Sequence, residues 1–243
     1  MILEERPYIK MKFSKRMDLF GESIFTTLAN MRSERKKQGL EVIDLSIGAP
    51  NIPPTQEVME TIAKEAMKPE NYLYAIKDSV DLQNTVKEWY ERRYGVVIDP
   101  TTELTSLLGS QDGLAHLALT LVDEGDTVLV QDPCYPIFRD GPLLAGAHVV
   151  TMPLLKENDY LIDFDRIDEK TAQDAKYMIV SYPNNPTCGV ANDEFYKKLI
   201  VFAKKYNIMI LHDNAYSELL FEGPGHSFLE FEGAKDVGIE FNS

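Results

Sequence analysis

Residues 177–216 read YMIVSYPNNPTCGVANDEFYKKLIVFAKKYNIMILHDNAY, and this stretch decides the fold. It opens on the apolar run Tyr177-Met178-Ile179-Val180, a strand, and stops in the proline-rigid turn Tyr182-Pro183-Asn184-Asn185-Pro186-Thr187. Phe195, Leu199, Phe202 and Tyr206 then recur at helical spacing, with Asn192 or Asp193 placed to cap the helix and Lys204-Lys205 in its last turn. Ile208-Met209-Ile210-Leu211 follows as an unbroken apolar run. Such a run, rather than an alternating one, suits a parallel strand covered on both faces.

The same alternation extends outward in both directions. Upstream, Leu104 to Leu108 predicts a strand, and Leu114, Leu117, Ala118 and Leu121 predict a helix. Strands are expected over Thr127–Val130 and His148–Met152, with a helix over Pro136–Ala145 between them, and downstream another strand over Val237–Phe241. Alternating strands and helices predict an α/β fold, a mostly parallel sheet flanked by helices. The N-terminal part differs. Helices are expected over Ser23–Lys37, Gln56–Met67 and Leu82–Tyr94, and Val42 to Pro50 is a short extended piece. The first helix is assigned to a second, smaller domain, with residues 1–45 as N-terminal arm and part of that domain and 46–243 as an incomplete large domain.

Composition narrows the function. The 243 residues carry 25 Lys plus Arg against 39 Asp plus Glu, a formal net charge of −14. A surface this acidic repels phosphate backbones and anionic lipid, so neither nucleic acid nor membrane is the expected partner. The N-terminus has no apolar signal region and no segment has the length of a membrane span, so the cytoplasm is the expected location. Cys134 and Cys188 form no disulfide framework, and His116, His148, His212 and His226 have no metal-ligand spacing.

In an open α/β sheet, ligands sit beyond the carboxyl ends of the strands. The segments there are Gly109-Ser110-Gln111, Asp132-Pro133-Cys134-Tyr135, Tyr182 to Gly189, Asp213 to Tyr216, and Asn242-Ser243. Ser110 reads either as an ordinary helix cap or as part of an anion site at a helix N-terminus. The Asn184-Asn185 pair between two prolines is either a tight turn or a fixed side-chain amide. Asp213, at the end of a buried strand, needs a cation or a proton donor unless it caps a following helix. No glycine-rich nucleotide loop is present.

Taken in order, Gly109-Ser110-Gln111, Asp132-Pro133-Cys134-Tyr135-Pro136, Pro183-Asn184-Asn185-Pro186-Thr187, Asp213-Asn214-Ala215-Tyr216 and Phe241-Asn242-Ser243 resemble the fold-type I, class I/II aminotransferases that use pyridoxal 5′-phosphate. The resemblance implies roles. Ser110, Gln111 and Ser243 would hold the cofactor phosphate, and Tyr74 would reach the phosphate of a neighbouring subunit. Tyr135 would stack on the ring. Asn185 and Tyr216 would donate to its phenolic oxygen, and Asp213 would keep its nitrogen protonated. Gly48 would lie near the substrate carboxylate, and Asp132–Pro133 and Asn185–Pro186 would be cis.

Two departures stand out: Cys188 and Ser79 occupy positions where many members have glycine. The family's Schiff-base lysine would lie three positions beyond Ser243, so no catalytic residue is assigned within the chain. On that reading the isolated chain shows little or no transamination, and a slot beside Leu104–Leu108 stays unpaired. The resemblance implies amino-acid and 2-oxo-acid substrates and a homodimer when complete. A carbon–sulfur β-lyase of the same fold and a non-catalytic binding module are the alternatives.

Overall fold

The computed structural model describes residues 11–46, 48 and 52–243. Of the extended piece Val42–Pro50, Ile47, Ala49 and Pro50 therefore lie outside the described residues. The chain divides into two compact units, Met1–Lys77 and Asp78–Ser243.

The first unit holds α1 (Ile24–Lys37) and α2 (Gln56–Ala66). Both match the helical spacing, with Ser23 and Thr55 at their N-caps. Arg32 on α1 pairs with Asp44, and the Asp44 carboxylate also accepts from the Ser46 N–H at 3.0 Å. These partners hold the Asp44 carboxyl at about 2, the Ser46 hydrogen bonds contributing most.

The second unit begins with α3 (Val80–Tyr94), whose Ser79 side chain accepts from Leu82 N–H at 3.2 Å and whose Gly95 closes it in the left-handed region at φ 68°. Then come α4 (Ser110–Leu121), β1 (Thr127–Asp132), α5 (Ile137–Ala145), β2 (His148–Pro153), α6 (Glu169–Asp174), β3 (Ala175–Val180), α7 (Asp193–Tyr206), β4 (Met209–Asn214) and β5 (Gly238–Asn242). The five strands form one parallel sheet in the order β2-β1-β3-β4-β5. The order reverses direction between β1 and β3, the kind of switch point where α/β sheets open a crevice for ligand.

Burial explains the apolar runs. Met178, Ile179 and Val180 of β3 and Ile210 and Leu211 of β4 are wholly buried. One core packs Met178, Ile210, Phe195, Leu199 and Phe228, and the other packs Ile179, Leu211, Leu114, Phe138 and Phe241. Neighbouring residues on a strand thus serve opposite cores, and both faces need apolar side chains. Asn192 rather than Asp193 caps α7, its Oδ1 accepting from Phe195 N–H at 2.9 Å, and Asn207 ends the helix at φ 54°.

Two expectations are corrected. Leu104 to Leu108 is not a strand: among the described residues no segment pairs with it, and Leu108 is 95% exposed. A strand exists through its ladder, and here the Ser106 N–H donates instead to the Asp78 carboxylate at 2.9 Å. No helix follows Asp213 for it to cap, because the chain after β4 runs into bends and turns. The short α6, made of Glu169 to Asp174 with Asp168 as its cap, carries too little apolar periodicity to be expected.

Candidate active site at the carboxyl edge of the sheet

Parallel strands deliver their ends to one edge, so the segments after β1, β3, β4 and β5 gather there. Tyr135, three residues beyond β1, donates its hydroxyl to Gln111 Oε1 at 2.8 Å, which joins that edge to the first turn of α4. Gly109 stands just before α4 at φ 95°, a backbone region that L side chains rarely adopt. Among the described residues nothing lies within 4 Å of the place a Cβ would take on it. Ser110 is the first residue of α4 and not its cap, and its buried Oγ has no hydrogen-bond partner among the described residues. Asp112 in the same turn is engaged by His116, whose Nδ1 is 3.0 Å from its carboxylate.

Gly113 shows why α4 can lie so close to β5. A Cβ there would stand 2.5 Å from the Leu107 side chain and 2.7 Å from the Phe241 ring. The absent side chain lets the helix settle against β5, the strand that leads to Ser243.

The turn after β3 and the loop after β4 meet through Asn185 Nδ2 and the Tyr216 hydroxyl, 3.3 Å apart. Asp132–Pro133 and Asn185–Pro186 are both cis, as the resemblance implies, and so is Tyr182–Pro183. Cys188 takes φ 59°, the left-handed conformation for which glycine is the usual residue.

Asp213 lies between these groups in the chain and is only 7% exposed. Its Oδ1 is buried with no hydrogen-bond partner among the described residues. Burial pushes its carboxyl up to about 6; the neighbouring His212 works against that rise and Glu240 adds to it. An unpartnered buried acid is costly, and it fits a cationic or N–H-bearing ligand.

Of the sequence-predicted residues, Ser110, Gln111, Tyr135, Asn185, Asp213, Tyr216 and Ser243 all belong to the second unit and sit at the carboxyl ends of its strands or at the start of α4. Tyr74, 92% exposed, and Gly48 belong to the first unit.

Sequence reasoning missed the buried polar group beneath this edge. Glu240 of β5 has a fully buried side chain. It accepts from Tyr90 OH at 2.9 Å, Ser227 Oγ at 2.8 Å and Phe228 N–H at 2.7 Å, and its cross-strand neighbour His212 stands 3.1 Å away through Nδ1. Tyr94, one turn beyond Tyr90 on α3, makes a buried hydrogen bond of 2.9 Å with Ser217, next to Tyr216. An acidic residue inside an otherwise apolar strand, Gly238-Ile239-Glu240-Phe241, is the signal that could have pointed to it.

The family model "Aminotransferase class I and II" matches residues 41–238, and the chain belongs to this family. Among curated relatives, the LL-diaminopimelate aminotransferase of Aquifex aeolicus (strain VF5) is 43% identical over 96% of this chain and 60% of its own length. That of Dehalococcoides mccartyi (strain 195) is 41% identical over 96% of this chain and 61% of its own. The solved substrate-bound BacF of Bacillus subtilis superposes with a TM-score of 0.88 at 34% identity, over 96% of this chain and 60% of that one. A probable N-succinyldiaminopimelate aminotransferase of Thermus thermophilus gives 0.85 at 33%, over 91% and 60%. The chain thus spans about 60% of the length of the curated relatives it matches.

The residues present fit the cofactor that the family implies. An acid whose buried Oδ1 has no hydrogen-bond partner among the described residues suits a protonated ring nitrogen, and the N-terminus of α4, with a Ser110 Oγ likewise without one, suits a phosphate. Among the described residues no helix is long and apolar enough to cross a membrane.

Proposed function

We propose that this edge of the sheet holds pyridoxal 5′-phosphate, and that the protein carrying it moves an amino group between an amino acid and a 2-oxo acid. In this reading it works as a homodimer in the cytoplasm. Residues 1–45 form an N-terminal arm and part of a smaller domain, and residues 46–243 belong to the cofactor-binding domain. The observation that carries the reading is Asp213, a buried acid whose Oδ1 has no hydrogen-bond partner among the described residues.

When bound, the cofactor supplies an electron sink for the electron pair released at a substrate's Cα. Asp213 accepts the N–H of the ring and keeps the proton on that nitrogen. Asn185 Nδ2 and the Tyr216 hydroxyl donate to the phenolic oxygen. Tyr135 covers one face of the ring and excludes water from it. Ser110, Gln111 and Ser243 hold the phosphate, with Tyr74 of one subunit completing the phosphate site of its neighbour. Gly48 leaves room for the substrate carboxylate. The names of the curated relatives make LL-diaminopimelate the first amino donor to test.

Equilibrium dialysis of the full-length protein tests the reading. Saturable binding of pyridoxal 5′-phosphate is expected, weakened about tenfold or more by Asp213→Ala, because a hydrogen bond to a charged group is lost. Binding that does not saturate, or that ignores the substitution, would overturn the cofactor assignment. Formation of glutamate from 2-oxoglutarate in the presence of LL-diaminopimelate tests the reaction, and its absence with every amino donor would overturn it.

A further inference from the structure

Gln131 is the fifth of the six residues of β1 and has no exposed surface. It follows Val128, Leu129 and Val130, all wholly buried and apolar. A buried amide in such a place needs partners inside the protein, and here they are on its oxygen, since Nε2 has none among the described residues. Its Oε1 accepts the Ser181 N–H at 2.8 Å and a bond from Asn184 Nδ2 at 3.3 Å. Ser181 is the first residue beyond β3, and Asn184, 3% exposed, begins the turn that carries Asn185.

Asn184 is fully engaged. Its Oδ1 accepts from the Thr187 N–H at 3.2 Å and the Thr187 hydroxyl at 2.7 Å, and Thr187 Oγ accepts from the Gly189 N–H at 3.2 Å. Its own N–H donates to Gly189 O at 2.9 Å, and its carbonyl accepts from the Cys188 N–H at 2.8 Å. The turn is thereby closed on itself and tied to β1 by one side chain. Asn185 is the amide left over, and it faces Tyr216.

We infer that Gln131 is a positioning residue: it fixes the 181–189 turn against β1 and thereby aims Asn185 at the phenolic oxygen of the cofactor. The inference rests on the cofactor reading above. An apolar residue of the same length would fill the space but leave the Ser181 N–H and the Asn184 amide without their acceptor.

The test is a double-mutant cycle on the full-length protein with pyridoxine 5′-phosphate, which lacks the aldehyde and so reports the ring and phosphate contacts alone. Gln131→Met is expected to weaken binding roughly five- to tenfold in the wild-type background and less than about twofold when Asn185→Ala is already present. Inorganic phosphate, held away from Asn185, should bind both proteins equally. Asn184→Asp cuts the same link from the other side, putting an oxygen against Gln131 Oε1, and is expected to behave the same way if Gln131→Met does not fold. Equal losses in both backgrounds, no loss in the wild type, or a parallel loss of phosphate affinity would overturn the inference and leave the cofactor reading standing. If Asn185→Ala alone has no effect, Asn185 does not touch the cofactor and this inference falls, while the cofactor reading is decided by the dialysis test on Asp213.

Discussion

Asn185 Nδ2 lies 3.3 Å from the Tyr216 hydroxyl, and this contact joins the turn after β3 to the loop after β4. Asp213 stands buried at the end of β4, three residues before Tyr216. Asn185 comes from the turn after β3, while Asp213 and Tyr216 come from the end of β4 and the loop after it, so bringing the two segments together is a property of the sheet.

Removing the Tyr216 hydroxyl should leave Asn185 in place. Tyr216→Phe is expected to lower kcat/KM for transamination by about tenfold, roughly the value of one hydrogen bond to a charged oxygen. Asn185→Ala should cost at least as much, since it also frees the Tyr216 hydroxyl to turn away. Steady-state kinetics of the two single variants checks the order.

Asp213 should be a stability cost in the ligand-free protein. Its carboxyl, raised to about 6 from 3.8, holds its proton more tightly folded than unfolded. Stability from this group is therefore greatest below pH 3.8, falls as the pH rises toward 6, and stays low above it. Asp213→Asn removes a penalty of about 2–3 kcal/mol at pH 8. Without cofactor, the variant should melt several degrees above wild type at pH 8 and lose that advantage near pH 4. With cofactor, wild type should be the more stable of the two.

Glu240 should behave in the opposite sense. Its carboxylate takes hydrogen bonds from Tyr90, Ser227 and Phe228 and faces His212 in a fully buried site. Glu240→Leu strands those polar groups and is expected to destabilise the protein by about 3–5 kcal/mol. Denaturant unfolding measures the loss, and a change under about 1 kcal/mol would refute this role.

The cysteines should separate by reactivity. Burial pushes the Cys134 thiol up to about 11, while Cys188 is exposed. Limiting iodoacetamide at pH 8 should therefore label Cys188 first, because the thiolate is the reactive form. Peptide mass spectrometry after partial labelling gives the order directly.

The parallel strands were legible because burial on both faces forces unbroken apolar runs, as at Ile208 to Leu211. Leu104 to Leu108 has a similar apolar character and is no strand, because pairing depends on a neighbour that no local pattern encodes. The positions of the seven candidate residues of the second unit, at strand ends and at the start of α4, were legible as well, as an ordered set of turn and strand-end motifs. Gln131 and Glu240 were not. Each reads as one polar residue in an apolar strand, and its worth depends on donors 50 and 150 positions away, Ser181 and Tyr90.

The sequence by itself determined the alternation of strand and helix and the residue types at each strand end, since these follow from side-chain chemistry and short-range spacing. Tertiary structure alone decided that Asp213 would be buried without a partner, that Asn185 would meet Tyr216, and that Gln131 would reach the turn after β3. Those outcomes depend on strand order and register, which bring distant segments to one edge and remove the water that would otherwise satisfy them.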